Sequence, residues 1–259
     1  MLLCDFHIHT TWSDGSLSIA EAVDLFGRSG HDAIAITDHV VNTDSLLGKI
    51  GHRLKLSVPR ERFDAYRAEI EDAARTAWDR YRMVVLAGCE LTRNGLTGDR
   101  SAHALALGLD TFVSADGPVE GMLTRAREAG GVTVACHPNE QSDWFANTHY
   151  LWNRRDSVAN LVDLWELACR FDLFPQVSRA SLPFIGNSDF HSPKHLYAWK
   201  TLMQAEKSPR AILNALKKGV GLGVTRLQAP AATNPLAPSL AELGNPLPPR
   251  PHQSLQAHA

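Results

Sequence analysis

The run Leu2-Leu3-Cys4-Asp5-Phe6-His7-Ile8-His9 decides how this chain is read. Leu2–Ile8 has the length and apolar content of a β-strand, and histidines gather at its C-terminal end. Residues i and i+2 of a strand share a face, so His7 and His9 present two imidazoles side by side. Working outward, short apolar runs alternate with longer segments of helical period, the pattern of βαβ units and a mainly parallel sheet. Ser18-Ile19-Ala20-Glu21 has capping-box spacing, with Ile19, Val23 and Phe26 on one helical stripe and Gly30 as the stop. Ala33–Thr37 reads as a second strand. A long helix is expected over about Phe63–Tyr81, and strands over Met83–Cys89, Ala102–Leu107, Val132–Cys136, Val162–Leu167 and Leu182–Gly186. Asp116-Gly-Pro118 opens another helix, which ends near Gly130-Gly131. Pro209–Lys218 reads as a last helix before a terminal strand at Val220–Thr225.

With 259 residues, 44% hydrophobic and 21% charged, the chain has the profile of a globular protein with room for one barrel-sized core. Residues 1–227 are read as that domain. Within it, residues 40–62 lack a period and hold Lys49, His52, Arg53, Lys55, Arg60 and Arg62, so they read as an insertion loop, equally a substrate lid or a solvated connection. Half of the 14 prolines fall in residues 228–259, which read as a disordered tail. Lys plus Arg number 26 against 28 Asp plus Glu, a balance that argues against binding driven by phosphate neutralisation along a nucleic acid. No apolar run has the length of a membrane span, and the N-terminal residues lack a basic region followed by an apolar stretch. Four scattered cysteines do not make a disulfide framework. The expected location is the cytoplasm, with no membrane partner.

Six histidines and three acids fall at the ends of these runs. Asp14 follows His7 and His9 in Ser13-Asp14-Gly15. The second strand ends in Thr37-Asp38-His39, the third in Gly88-Cys89-Glu90, and His103 lies in the fourth. Cys136-His137-Pro138 and Ser188-Asp189-Phe190-His191 complete the set. Zn²⁺, Mn²⁺ and Fe²⁺ take such mixed imidazole–carboxylate sets. Nine donors are enough for two or three divalent ions about 3.5 Å apart if one carboxylate bridges them. Glu90, the only glutamate among the nine, is the best bridge. Cys89 and Cys136, each preceding a candidate ligand, are expected to face the helix layer as small hydrophobes. His31, His52, His149, His195, His252 and His258 lack this context and read as structural or surface groups.

These ordered motifs resemble the polymerase and histidinol phosphatase (PHP) family of metal-dependent phosphoesterases over about residues 1–225. The resemblance implies a distorted (β/α)7 TIM-like barrel with metals at the C-terminal ends of its strands. It implies that His7, His9, Glu90 and Asp189 hold a first ion, that Glu90, His103 and His137 hold a second, and that Asp14, His39 and His191 hold a third. Some members carry histidine where this chain has Asp14.

The chemistry expected of this set is hydrolysis of a small phosphate ester, a nucleotide or other phosphorylated metabolite, by a metal-bridging hydroxide attacking phosphorus in line. Glu90 would join the ions, while Asp14 and His191 would serve the leaving oxygen, Asp14 as its acid. Arg170 and Lys194 are candidate phosphate-binding cations, with Lys200 a weaker one. Nucleic acid enters this reading only as a short oligonucleotide. Cys-x5-Arg, Asp-x-Asp and Gly-x-Ser-x-Gly are all absent, which removes the cysteine, aspartyl-phosphate and serine-elbow hydrolases. The rival readings are a metal-dependent amidohydrolase, whose barrels also open on His-x-His, and a non-catalytic accessory module.

Overall fold

Ala33–Ile36 shows why these apolar runs become strands: all four side chains are buried, which requires a sheet covered on both faces. Ile34 and Ile36 pack with Ile19, Phe26 and Ile70 under the helices, while Ala33 and Ala35 pack with Phe6, Leu86, Leu105 and Ile185 on the opposite face. In the computed structural model, the described residues are 1–45, 49, 54, 56–95, 100–141 and 148–228. Their strands are β1 Leu2–Asp5, β2 Ala33–Ile36, β3 His39–Val41, β4 Val84–Arg93, β5 Ala102–Leu107 and β6 Val132–Ala135. There follow β7 Leu164–Cys169, β8 Asp172–Leu173, β9 Phe184–Asn187, β10 Trp199–Met203 and β11 Leu222–Arg226. They form one curled sheet in the order β11-β10-β1-β2-β4-β5-β6-β7-β8, with β3 also on β4 and β9 also on β7. Beyond β1, Ile8 bridges Phe190 in parallel, His9 N–H donating to Phe190 O at 2.8 Å and Phe190 N–H to His7 O at 2.9 Å.

The helices fall where the sequence places them. Ile19–Arg28 is closed by the full Ser18–Glu21 capping box. Phe63–Tyr81 buries Phe63, Tyr66, Ile70, Ala73 and Ala77, a stripe at helical spacing. Val119–Glu128 and Pro209–Lys218 complete the longer ones, and the second presses Ile212 and Leu216 onto the inner sheet face.

Three expectations need correction. The sheet mixes parallel and antiparallel strands rather than being mainly parallel: β5 runs antiparallel to both β4 and β6. Only residues 94–101 join β4 to β5, too short a link for a parallel crossover. Residues 40–62 are not simply a loop. Val40 and Val41 extend β3, Arg60–Arg62 form a 3-10 turn, and Val58 is buried with its N–H donating to His39 O at 2.8 Å. Of the other basic residues, Lys49 is exposed, and His52, Arg53 and Lys55 lie outside the described residues, as does the proline-rich tail from Ala229. Third, no strand is expected at Trp199–Met203, yet β10 pairs antiparallel with β1 there. That turns Lys200 inward, fully buried, with Nζ 3.0 Å from Asp5 Oδ2. A lysine committed to a buried carboxylate is not available to a substrate.

No helix among the described residues is long and apolar enough to cross a membrane.

Candidate metal centre

Glu90 stands at the middle of the site. It lies on β4, is 1% exposed, and directs its two oxygens to two different groups of histidines. Oε2 is 3.5 Å from His7 Nε2 and 3.3 Å from His9 Nε2. The same two nitrogens lie 3.6 and 3.5 Å from Asp189 Oδ1. Oε1 is 2.9 Å from His103 Nδ1 and 3.6 Å from His137 Nε2. A third group gathers on Asp14 Oδ1, which is 3.2 Å from His191 Nε2, 3.6 Å from His39 Nε2 and 3.9 Å from His9 Nδ1. All nine side chains picked out by the sequence thus come together.

The topology explains how. His7 and His9 follow β1, where the Phe190 bridge keeps the backbone extended. His39 opens β3 directly opposite Glu90 in the parallel register. His103 sits near the start of its strand, not its end: because β5 is antiparallel, its start lies beside Thr92, at the same edge as the ends of its neighbours. His137 and Asp189 adopt left-handed backbone, φ 29 and 45, which turns their side chains inward just past β6 and β9. Such strained residues concentrate at functional sites. The turn at His137 also breaks strand alternation. Cys89 packs under the helices as expected, but Cys136 joins the opposite cluster with Phe6, Leu105 and Val134. Both thiols are buried, and burial pushes their pKa up, so they stay protonated. Gly15 has no room for a side chain, since a Cβ there would lie 2.3 Å from His9 O. The loop carrying Asp14 therefore folds directly against the His9 backbone.

Of the six imidazoles, His7, His39, His103 and His137 each have a hydrogen-bond partner that orients the ring. His7 Nδ1 pairs with Glu166 Oε1 at 2.9 Å and His39 Nδ1 with Thr92 Oγ1 at 2.7 Å. Asn94 Oδ1 holds His103 Nε2 at 3.0 Å, and Thr148 Oγ1 holds His137 Nδ1 at 3.0 Å. Glu166 is the residue that sequence reasoning missed. Fully buried, it also accepts His137 N–H at 2.8 Å and Asn187 Nδ2 at 2.9 Å. The available signal was a glutamate inside the apolar run Leu164–Cys169, since an unpaired carboxylate cannot remain there. Asp38 is a second omission. It accepts Thr10 N–H at 2.7 Å and the Ser13 hydroxyl at 2.6 Å, tying down the loop that carries Asp14.

Burial alone would raise the pKa of Glu90, but His39, His103 and His7 outweigh it and hold the carboxyl well below the usual range. Burial likewise opposes charge on His7, where Glu166, Asp189 and Glu90 prevail and raise its pKa. Asp14 is held low against its burial by His191, His39 and His9, which favours its ionised form.

His7 Nε2, both ring nitrogens of His9, Glu90 Oε1 and His103 Nδ1 are buried without a hydrogen-bond partner. Each such atom costs on the order of 1–3 kcal/mol. These atoms converge on shared points, where a divalent cation would take one lone pair from each neutral imidazole and from the carboxylate. The donor set fits such ions. Of the candidate phosphate ligands, Arg170 lies at the site but donates to Asp189 Oδ2 at 2.7 Å. Lys194 is exposed on the turn Pro193–Tyr197, where its charge acts on His195.

A family model described as the PHP domain matches residues 5–150. Over 68 residues the chain is 38% identical to the DNA polymerase/3'-5' exonuclease PolX of Bacillus subtilis, a stretch covering 26% of this chain and 12% of that protein. The chain thus matches about an eighth of that relative's length. Among solved structures, it resembles a Bacteroides vulgatus two-domain protein said to contain a predicted PHP-like metal-dependent phosphoesterase. The TM-score is 0.62 at 22% identity, covering 87% of this chain and 65% of that one. It also resembles a Chromobacterium violaceum amidohydrolase at TM-score 0.53 and 16% identity, over 86% of this chain and 97% of that one. At these identities the likeness is one of fold.

Proposed function

Because this chain belongs to the PHP-domain family, we propose that it is a metal-dependent phosphoesterase that hydrolyses a small phosphate ester. The observation that carries this reading is the convergence of buried, unpartnered nitrogen and oxygen atoms around Glu90. His7, His9, Glu90 and Asp189 would hold one divalent ion, Glu90, His103 and His137 a second, and Asp14, His39 and His191 a third. Zn²⁺, Mn²⁺ and Fe²⁺ all suit these donors. Bound there, the ions would neutralise phosphoryl oxygens and make hydroxide available at neutral pH.

The chain's own part is positioning. Glu90 spans two of the donor groups and fixes their separation. Asp14 Oδ1 and His191 Nε2 lie 3.2 Å apart, and the ion they would hold with His39 would stabilise the departing alkoxide. Arg170 steadies Asp189 and leaves its guanidinium 39% exposed toward incoming phosphate. The seven-stranded barrel belongs to the same proposal. Its support is the Ile8–Phe190 bridge, which brings the segments after β1 and β9 together at the edge of the curled sheet where the donors lie.

The test is elemental analysis of protein purified without added metal, joined to a screen of phosphate esters, amides and lactones. At least two equivalents of first-row metal and chelator-sensitive phosphate release are expected. Hydrolysis confined to amides or lactones would favour the amidohydrolase reading. Metal without any turnover would favour the accessory module.

A further inference from the structure

Beside the metal centre, the hairpin between β7 and β8 is built against ordinary turn chemistry. Cys169 pairs with Asp172, so the turn consists of Arg170 and Phe171 alone. Two-residue hairpin turns favour Gly, Asn or Asp because they need left-handed backbone. Here Arg170 takes that conformation, with φ 55. Its side chain supplies the reason, since it reaches Asp189 Oδ2 and lies 3.2 Å from His191 Nδ1. Phe171, at the same tip, is 47% exposed although it is a large apolar residue.

The surroundings of Phe171 are specific. Its ring lies edge-on to His195, with centroids 6.2 Å apart, and the His195 ring is 6.2 Å from that of His191. His195 Nδ1 accepts His191 N–H at 3.0 Å, so the platform and the candidate ligand share one rigid support. The exposed Arg226, at the end of β11, places its guanidinium 5.4 Å from the Phe171 centroid. Arg170, Lys194 and Arg226 thus make this rim cationic. An exposed aromatic ring beside guanidinium groups suits a ligand that joins a planar π-system to an anion.

We propose that Phe171, braced by Arg226, is the stacking platform for the base of a nucleotide substrate whose phosphate meets the Arg170–His191 edge of the centre. This specifies the substrate class and rests on the phosphoesterase reading above. A base stacked on an aromatic side chain gains sequence-tolerant affinity, commonly about tenfold or more. Discrimination at this rim would then favour nucleotides over sugar phosphates without reading the identity of the base.

The experiment titrates metal-loaded protein by calorimetry with a nucleoside 5′-methylenephosphonate and with its base-free ribose counterpart, neither of which has a bridging P–O bond to break. The wild type is expected to bind the nucleoside compound about tenfold more tightly. Phe171→Ala should abolish that preference while the affinity for the ribose compound stays within about twofold, and Phe171→Trp should keep it. Thermal midpoints of both variants verify that they fold. The proposal is overturned if the wild type shows no preference, if Phe171→Ala weakens both ligands alike, or if neither binds better than inorganic phosphate. It is also overturned if the variant only converts a dimer to a monomer in sedimentation, which would make the hairpin tip a self-association surface. Failure of the phosphoesterase reading is separate and visible in the wild type alone, as a lack of chelator-sensitive phosphate release from any ester.

Discussion

Glutamine in place of Glu90 is expected to remove at least one equivalent of bound metal and to lower phosphate release by about 10³-fold or more. The reason is charge, not shape. Among the described residues, Glu90 supplies the only carboxylate whose two oxygens face two groups of histidines, at 2.9–3.5 Å through Oε2 and 2.9–3.6 Å through Oε1. Two divalent ions about 3.5 Å apart repel strongly, and an anion between them offsets that repulsion. Glutamine keeps the volume and one acceptor oxygen but loses the charge and one donor site. A 10³-fold loss corresponds to about 4 kcal/mol of transition-state stabilisation. Elemental analysis and single-turnover phosphate release measure the two effects independently. Unchanged metal content together with an unchanged rate would remove Glu90 from the site.

Glu166→Gln is expected to lower metal affinity by about 10- to 100-fold although Glu166 belongs to none of the three proposed ligand groups. The carboxylate accepts from the His137 backbone at 2.8 Å and from Asn187 at 2.9 Å, and it pairs with His7 Nδ1 at 2.9 Å. A glutamine must turn its NH₂ toward one of these donors. The His7 ring then loses the partner that fixes its tautomer, or the turn at His137 loses its anchor. Truncation to alanine is expected to cost stability on the order of 3–5 kcal/mol, because it leaves buried charged and polar partners uncompensated. Competition against a chromophoric chelator reads the affinity, and a denaturant titration reads the stability. Affinity within twofold of wild type would mean that His7 is oriented without Glu166.

The nine side chains that gather around Glu90 and Asp14 were legible in the sequence because chemistry constrains both residue type and spacing. His7-x-His9 and Asp189-x-His191 repeat an i, i+2 geometry, and the other donors close short apolar runs. The helices were legible where a cap and a stripe coincide, as at Ser18–Glu21 and at Phe63–Tyr81. What escaped was set by pairing at long range. The antiparallel direction of β5 depends on a short connection, and it places His103 near the start of its strand. Strand β10 is defined by β1, nearly two hundred residues away in the chain, and that pairing decides that Lys200 is buried beside Asp5. Glu166 escaped because one acid in an apolar strand carries no spacing signal. Its role is defined by His7 and His137, which meet it only in the folded chain. The positive φ at His137 is likewise a tertiary effect: Cys136 keeps the face of Val132 and Val134, and it is His137 that leaves the alternation.

The central claim is that side chains scattered from His7 to His191 surround a single cluster of cations. Anomalous diffraction from metal-loaded crystals, collected on both sides of the metal's absorption edge, tests it most directly. Peaks are expected between Glu90 Oε2 and the Nε2 atoms of His7 and His9, and between Glu90 Oε1 and the ring nitrogens of His103 and His137, within about 2.0–2.3 Å of each donor. Anomalous density found only elsewhere on the molecule, with the Glu90 carboxylate left uncoordinated, would contradict it.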